Sequence, residues 1–470
     1  MKNKPYFLVA IILVYSFSPI AAMGQSLPHT FSANTAAKAS EVNENFTYLL
    51  ERFGTRKTTV NCYSGESITT ALKNYNHIVI SGVCTENISL DGESLPHRVV
   101  ILEGSSSTSD GISASDTSKP VINVFNGSIT LKISKLKITG GTRGIEGYLG
   151  PTIILNNILV ENNTSFGIAN WSGSRLFIKE STIQNNGETA IISGESSYVE
   201  IVRNTITGHT NYQSILITRA GSAWIANNTI TNGKDAGIRI ESGASAYIRH
   251  NTIQSAENGI SVSGSSYARL RYNTINNNSK SGLYVENNGS VVLEAGNTFS
   301  NNSEYGIRVF LAGSLNMWGD AQLTSPTTIS GNTKGPIRVD EGGSAYLRNL
   351  TLASQSKEIE IYSGNFVKFD NVTLQGGEFG IVVWRTNIGL ENSTISGHTD
   401  AEIYAETSTI DLRNTAISGT AGSNEIKLTY GSKLFIGTGT TITGTVYCDG
   451  SVDNKSIGNW INLSLTTSGC

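Results

Sequence analysis

The chain has 470 residues, more than one compact core usually fills, and its 49 glycines far outnumber its 8 prolines. A formal charge of −3 with no basic run argues against a nucleic-acid partner. No stretch beyond the first 25 residues is apolar enough to cross a membrane.

The amino terminus reads as a targeting segment. Lys2 and Lys4 precede an apolar run from Tyr6 to Phe17, and Ala22-Met23-Gly24 has the small-x-small form of a cleavage site. Residues 1–24 are therefore expected to be removed, which places the protein outside the cell or on its surface. The residue directly after the site is Gln25 and not a cysteine, which argues against a lipid anchor. Residues 25–59 form a linker and a short amphipathic helix, with Val42, Phe46, Leu49 and Phe53 on one stripe. Such a helix caps the open end of a stacked array, or joins copies of the chain into a homo-oligomer.

Residues 60–446 repeat. One apolar column follows the motif Asn-Thr-Ile and runs Ile138, Leu159, Ile183, Ile206, Ile230, Ile253 and on to Ile442. A second follows motifs such as Gly-Ile-Arg-Ile, through Ile238, Ile260, Leu283, Ile307 and Ile337. A third runs Ile178, Ile201, Ile225, Ile248 and Leu270. Steps are 20 to 25 residues except one of 30, between Phe299 and Ile329. Around each column apolar and polar residues alternate, as in Ile238-Arg239-Ile240, so each column marks a short strand with one buried face. Glycine, asparagine and serine between them form turns. A three-strand repeat cannot bury its own apolar face, so the repeats must stack, strand on equivalent strand, about 4.8 Å apart. Asn204, Asn228, Asn251, Asn273 and Asn297 sit two residues before the first column and fit a stacked turn ladder. Residues 447–470 close the array as a C-terminal cap.

This rhythm resembles the right-handed parallel β-helix proteins of pectin-lyase-like fold, of secreted bacterial type, over about residues 60 to 446. The resemblance implies an all-β fold, a right-handed parallel β-helix solenoid with a short N-terminal helix. The family includes lyases, hydrolases, epimerases, tailspikes and adhesins, so it implies a relation to polysaccharides and leaves the activity open.

The residues themselves read as non-catalytic. Polygalacturonase-like enzymes need clustered aspartates, and here the motif is Asn-Thr-Ile without the acid. Gly208-His209-Thr210 and Gly397-His398-Thr399 are read as turns, with no second His or Cys at ligand spacing, so neither a metal nor a cofactor is expected. Two outward rows remain. On the Gly-Ile-Arg-Ile strand, Arg308, Arg338, Asp340 and Glu360 fall on neighbouring coils and are the catalytic candidates. On the other row, Phe177, Trp224, Tyr247, Arg249, Arg269 and Arg271 suit a glycan, rings against sugar faces and guanidinium groups against carboxylates or sulfates. The 30-residue step carries Trp318 and Asp320, the distinctive side chains of an extra loop. The expected function is binding of a polysaccharide or surface glycan. The alternatives are a polysaccharide lyase or glycoside hydrolase, and a structural or adhesive stalk.

Cysteines complete the reading. Cys62 and Cys84 are 22 apart, as are Cys448 and Cys470. That separation is one coil, and residues one coil apart stack within reach of a disulfide. Two bonds are expected, Cys62–Cys84 and Cys448–Cys470, each closing a terminal coil.

Overall fold

Alternation of apolar and polar residues along short β-branched segments builds three ribbons of parallel strands. The computed structural model describes residues 55–449, apart from 96, 210, 319–324, 354–357 and 421–423, together with the backbone of strands Ile457–Gly458 and Thr466–Ser468. Residues 57–470 fall in one unit. Its first sheet runs from Lys57–Asn61 through Ser222–Ala226 to Lys433–Ile436 and ends on Ile457–Gly458. A second sheet runs from Val83–Thr85 to Thr328–Ser330, and a third from Ile88–Asp91 to Thr445–Cys448 and Thr466–Ser468. Each strand pairs in parallel with its equivalent one coil on, as in Ile178, Ile201, Ile225 and Ile248 in the first sheet. The second and third sheets repeat this with Ile230, Ile253 and Ile275, and with Ile238 and Ile260. All of these isoleucines are fully buried, in one continuous core.

One column member sits a residue away from the position expected from sequence. Val160, not Leu159, stacks between Ile138 and Ile183: each lies three residues after its left-handed corner residue, Lys135, Asn157 or Glu180, and Ile158 takes the buried corner place that Ser181 holds one coil on. Leu159 points outward and Val160 is buried. In two successive coils the first and second sheets share unbroken ten-residue strands, Ser344–Ala353 and Phe366–Gln375. Left-handed residues Asn349 and Asn371 make the corner inside them.

The asparagine ladder lies between the first and second sheets. The carboxamide oxygen of Asn228 accepts from the backbone N–H of Asn204 at 2.8 Å and from its side-chain amide at 3.1 Å. Asn251, Asn273 and Asn297 repeat both bonds down the axis. The left-handed residue at this corner is not the ladder asparagine but its predecessor, Arg203, Asn227, His250, Tyr272 or Gly296. A second ladder, Asn278–Asn302–Asn332, lines another corner. Buried amides therefore satisfy buried backbone groups coil after coil, which a solenoid corner requires.

The helix expected at Val42, Phe46, Leu49 and Phe53, and any association through it, lies outside the described residues, as do the leader and residues 450–456. Within the first coil a single helical turn, Ile68–Ala71, buries Ile68. The carboxylate of Glu86 accepts from the Ile68 and Thr69 N–H groups at 2.6 and 3.0 Å. The bond Cys62–Cys84 is formed, with its Cα atoms 4.8 Å apart. Cys448 is disulfide-bonded as well; Cys470, its expected partner, lies outside the described residues.

Candidate functional site

On the first sheet, alternation turns Ala223 and Ile225 inward and Trp224 outward, half-buried. Register then places Phe177, Glu200, Trp224, Tyr247 and Arg269 on successive coils. One pleat away, Arg249 pairs in register with Arg271. Trp224 meets Tyr247 edge to face, with centroids 4.9 Å apart. The Arg249 guanidinium lies 4.8 Å from the Trp224 ring centre, and that of Arg269 5.3 Å from Tyr247. Phe177 stands apart from this group and packs against Tyr198 at 5.9 Å. Arg269 is compensated: its Nε donates to Glu294 at 2.6 Å. Among the described residues Arg249 and Arg271 form no salt bridge, and the Nε of each lacks a hydrogen-bond partner. The field they leave is felt locally. His250 is held below its ordinary value by desolvation first and then by the charges of Arg249 and Arg271.

On the third sheet the four catalytic candidates come together. Arg308, Arg338 and Glu360 stack on successive coils, and Asp340 lies one pleat from Arg338. Asp340 Oδ2 accepts from Arg338 Nε at 2.6 Å and from Arg308 Nη2 at 3.1 Å. Arg338 Nη1 also donates to Glu360 at 2.7 Å and to the Tyr305 hydroxyl at 3.1 Å, and that hydroxyl lies 3.0 Å from Glu360. Rings enclose the network: Tyr362 lies 4.5 Å from Arg338 and stacks on Trp384 at 4.0 Å, and Phe310 lies 4.9 Å from Arg308. Two guanidinium groups face two carboxylates, so this cluster is electrically balanced where the first-sheet strip is not. Burial pushes the Tyr284 phenol up to about 12 and raises Tyr305 and Tyr362 as well. The Tyr305 hydroxyl donates to the Glu360 carboxylate.

Comparison with known families agrees with this architecture: residues 173–318 match the model described as the right handed beta helix region. The chain is a right-handed parallel β-helix. Among solved structures it is similar to the alginate lyase of Paenibacillus sp. str. FPU-7, at 17% identity over 61% of this chain and 99% of the lyase, with a TM-score of 0.39. It is also similar to pectate lyase Pel9A, at 13% identity over 66% of this chain and 76% of that one, TM-score 0.38. The mannuronan C-5 epimerase A-module of Azotobacter vinelandii shares 14% identity over 82% of this chain and 99% of the module, TM-score 0.41. No curated protein matches the chain in sequence.

The two histidine motifs of the β-helix lie where turns were expected. His209 and His398 are buried at corners, 0% and 2% exposed. Nε2 of His209 lies 3.3 Å from the Ile183 carbonyl, and burial lowers its proton affinity. His398 hydrogen-bonds the buried carboxylate of Glu402 through Nδ1. Among the described residues no group of three or more His, Cys, Asp or Glu is placed to hold a metal ion. Trp318 is 60% exposed, and Asp320 lies outside the described residues. Sequence reasoning missed Tyr305, Tyr362 and Trp384 in the third-sheet cluster. The signal was present, since Tyr362 and Trp384 continue the column of Asp340 over the next two coils.

Proposed function

We propose that this β-helix is exported and binds an anionic polysaccharide along the outward face of its first sheet, without turning it over. The observation that carries the reading is the stacked pair Arg249 and Arg271, without carboxylate partners among the described residues, beside the Trp224–Tyr247 ring pair. Two uncompensated guanidinium groups favour carboxylate or sulfate, and adjacent rings favour sugar faces. Each contact contributes only about 0.5–1 kcal/mol at an exposed position, so several act together and binding weakens as salt screens the charges. Affinity electrophoresis through gels containing polygalacturonate, alginate or neutral dextran tests this. Retardation is expected in the acidic polymers, falling with added salt and lost in the Trp224→Ala/Arg249→Ala double variant at an unchanged melting temperature. Equal mobility in all gels, or full retardation of the double variant, sinks the proposal.

A second reading makes the third sheet the active face of a polysaccharide lyase or glycoside hydrolase. The Tyr305 hydroxyl, shared between Arg338 and Glu360 with Asp340 beside them, favours it. Release of unsaturated or reducing ends from an acidic polymer, abolished by Tyr305→Phe, would establish this reading over the first.

A further inference from the structure

The outward column of the first sheet that carries Trp224 and Tyr247 continues as Tyr346, Lys368, Gly389, Asp411 and Phe435. A cleft opens there, floored by Gly389, with Phe366 at one end and Phe435 at the other. Nothing in the backbone requires glycine at this position. Gly389 is outside the left-handed region, and a Cβ on it would meet only the Phe366 ring edge at 3.8 Å, an ordinary contact. Glycine inside a strand weakens it relative to almost any other residue. What this glycine preserves is space in front of the sheet. The walls are equally unusual, since Phe366 and Phe435 are 48% and 46% exposed. Polar groups line the remaining sides as two balanced pairs, Lys368–Glu391 and Arg413–Asp411, each 2.8 Å apart.

From this notch we propose a second site, one that takes a short stretch of neutral pyranoses. The exposed phenylalanines stack on the apolar sugar faces, and the Glu391 and Asp411 carboxylates accept from sugar hydroxyls. Two cations against two anions leave no net charge, so the preferred ligand is uncharged, unlike that of the Arg249–Arg271 strip. The proposal rests on the reading of the first sheet as a carbohydrate face, but it uses different residues and a different class of sugar, so the two fail separately.

The test uses saturation-transfer NMR and calorimetry on the full chain, with cellotetraose, laminaritetraose, maltotetraose and chitotetraose as probes. At least one tetrasaccharide is expected to bind. Phe366→Ala should weaken it about tenfold, the loss of a ring contact in a shared site. Gly389→Val should weaken it at least as much while keeping or raising the melting temperature, because a β-branched residue suits the strand and fills the notch. Trp224→Ala/Arg249→Ala should leave neutral-sugar binding unchanged. Failure of all four probes, or wild-type affinity in Gly389→Val, overturns the proposal, whether or not the acidic polymers bind. Loss of neutral-sugar binding in the Trp224→Ala/Arg249→Ala variant overturns it too, by moving the ligand to the other strip.

Discussion

Replacing Asn251 by alanine tests the ladder that holds the corner beneath the Trp224 strip. The Asn251 carboxamide oxygen accepts from the Asn228 backbone N–H at 2.9 Å and from the Asn228 amide at 3.0 Å. Its nitrogen donates to the carbonyls of Ile225 and Arg249, at 3.0 and 2.9 Å, and to Asn273 at 3.0 Å. Several of these partners have other bonds. The Asn228 amide keeps the Ile201 carbonyl, Asn273 keeps the Asn251 N–H, and the Arg249 carbonyl keeps the Asn227 N–H. The Asn228 N–H is left unpaired in a buried corner, and the Ile225 carbonyl loses a donor. At about 1–3 kcal/mol for each unsatisfied buried group, the variant should lose about 3 kcal/mol. Because each coil contacts mainly its neighbours, the damage should stay local. Amide exchange should quicken at Asn228 and its two adjacent coils and stay unchanged near Asn332, while the urea midpoint falls. A loss under about 1 kcal/mol, with the Asn228 amide as protected as before, would refute the idea that the ladder satisfies the corner.

Arg338→Ala leaves Asp340, whose side chain is 5% exposed, with Arg308 alone, and also strips Glu360 and Tyr305 of their shared donor. Chemical denaturation should record a loss of about 3 kcal/mol, partly recovered by adding Asp340→Asn. His209 is depressed below its ordinary value of 6.5 by burial, so the unfolded chain binds the proton more readily than the folded one. Its contribution to stability is therefore complete above that pH and declines as pH falls below it. His209→Asn, which places an amide one coil on from Asn186, should flatten the decline in a melting-temperature series. Removing the Cys62–Cys84 bond by Cys62→Ser should cost about 3 kcal/mol and raise exchange first in the coil containing Ile78 and Ile80.

Much of this architecture was legible in the one-dimensional pattern. The period-two alternation assigned Ile238 and Ile240 to the interior and Arg239 to the exterior, and the structure agrees. A repeat of 23 residues put Trp224 over Tyr247, and the one 30-residue step put Arg308 over Arg338, because in a parallel stack the sequence offset equals the length of that coil. The half-cystine spacing of 22 foretold the bond at Cys62 by the same arithmetic. The arithmetic slips where a coil lacks the Asn-Thr-Ile motif, as at Ile158-Leu159-Val160, where three apolar residues in a row hide which one joins the column. Backbone angles at the ladder also escaped it: asparagine is tolerant of the left-handed region, yet the residue before it adopts that conformation.

Residue type and period were enough for the fold and the two outward rows, since burial and stacking depend on nothing else. Which charges are spent and which are free was settled by neighbours in space. Arg269 is neutralised by Glu294, 25 residues away, while Arg249 and Arg271 form no salt bridge among the described residues. Arg338 reaches both Asp340 and Glu360 and so joins the four candidates into one network, and Tyr305 adds to it by reaching Glu360 across 55 residues, two coils on. Gly389 reads in sequence as a weak point in a strand and becomes the floor of a cleft only beside Phe366 and Phe435. Pair formation depends on side-chain reach across coils and on the space that neighbours leave, and neither quantity is carried by the period of the chain.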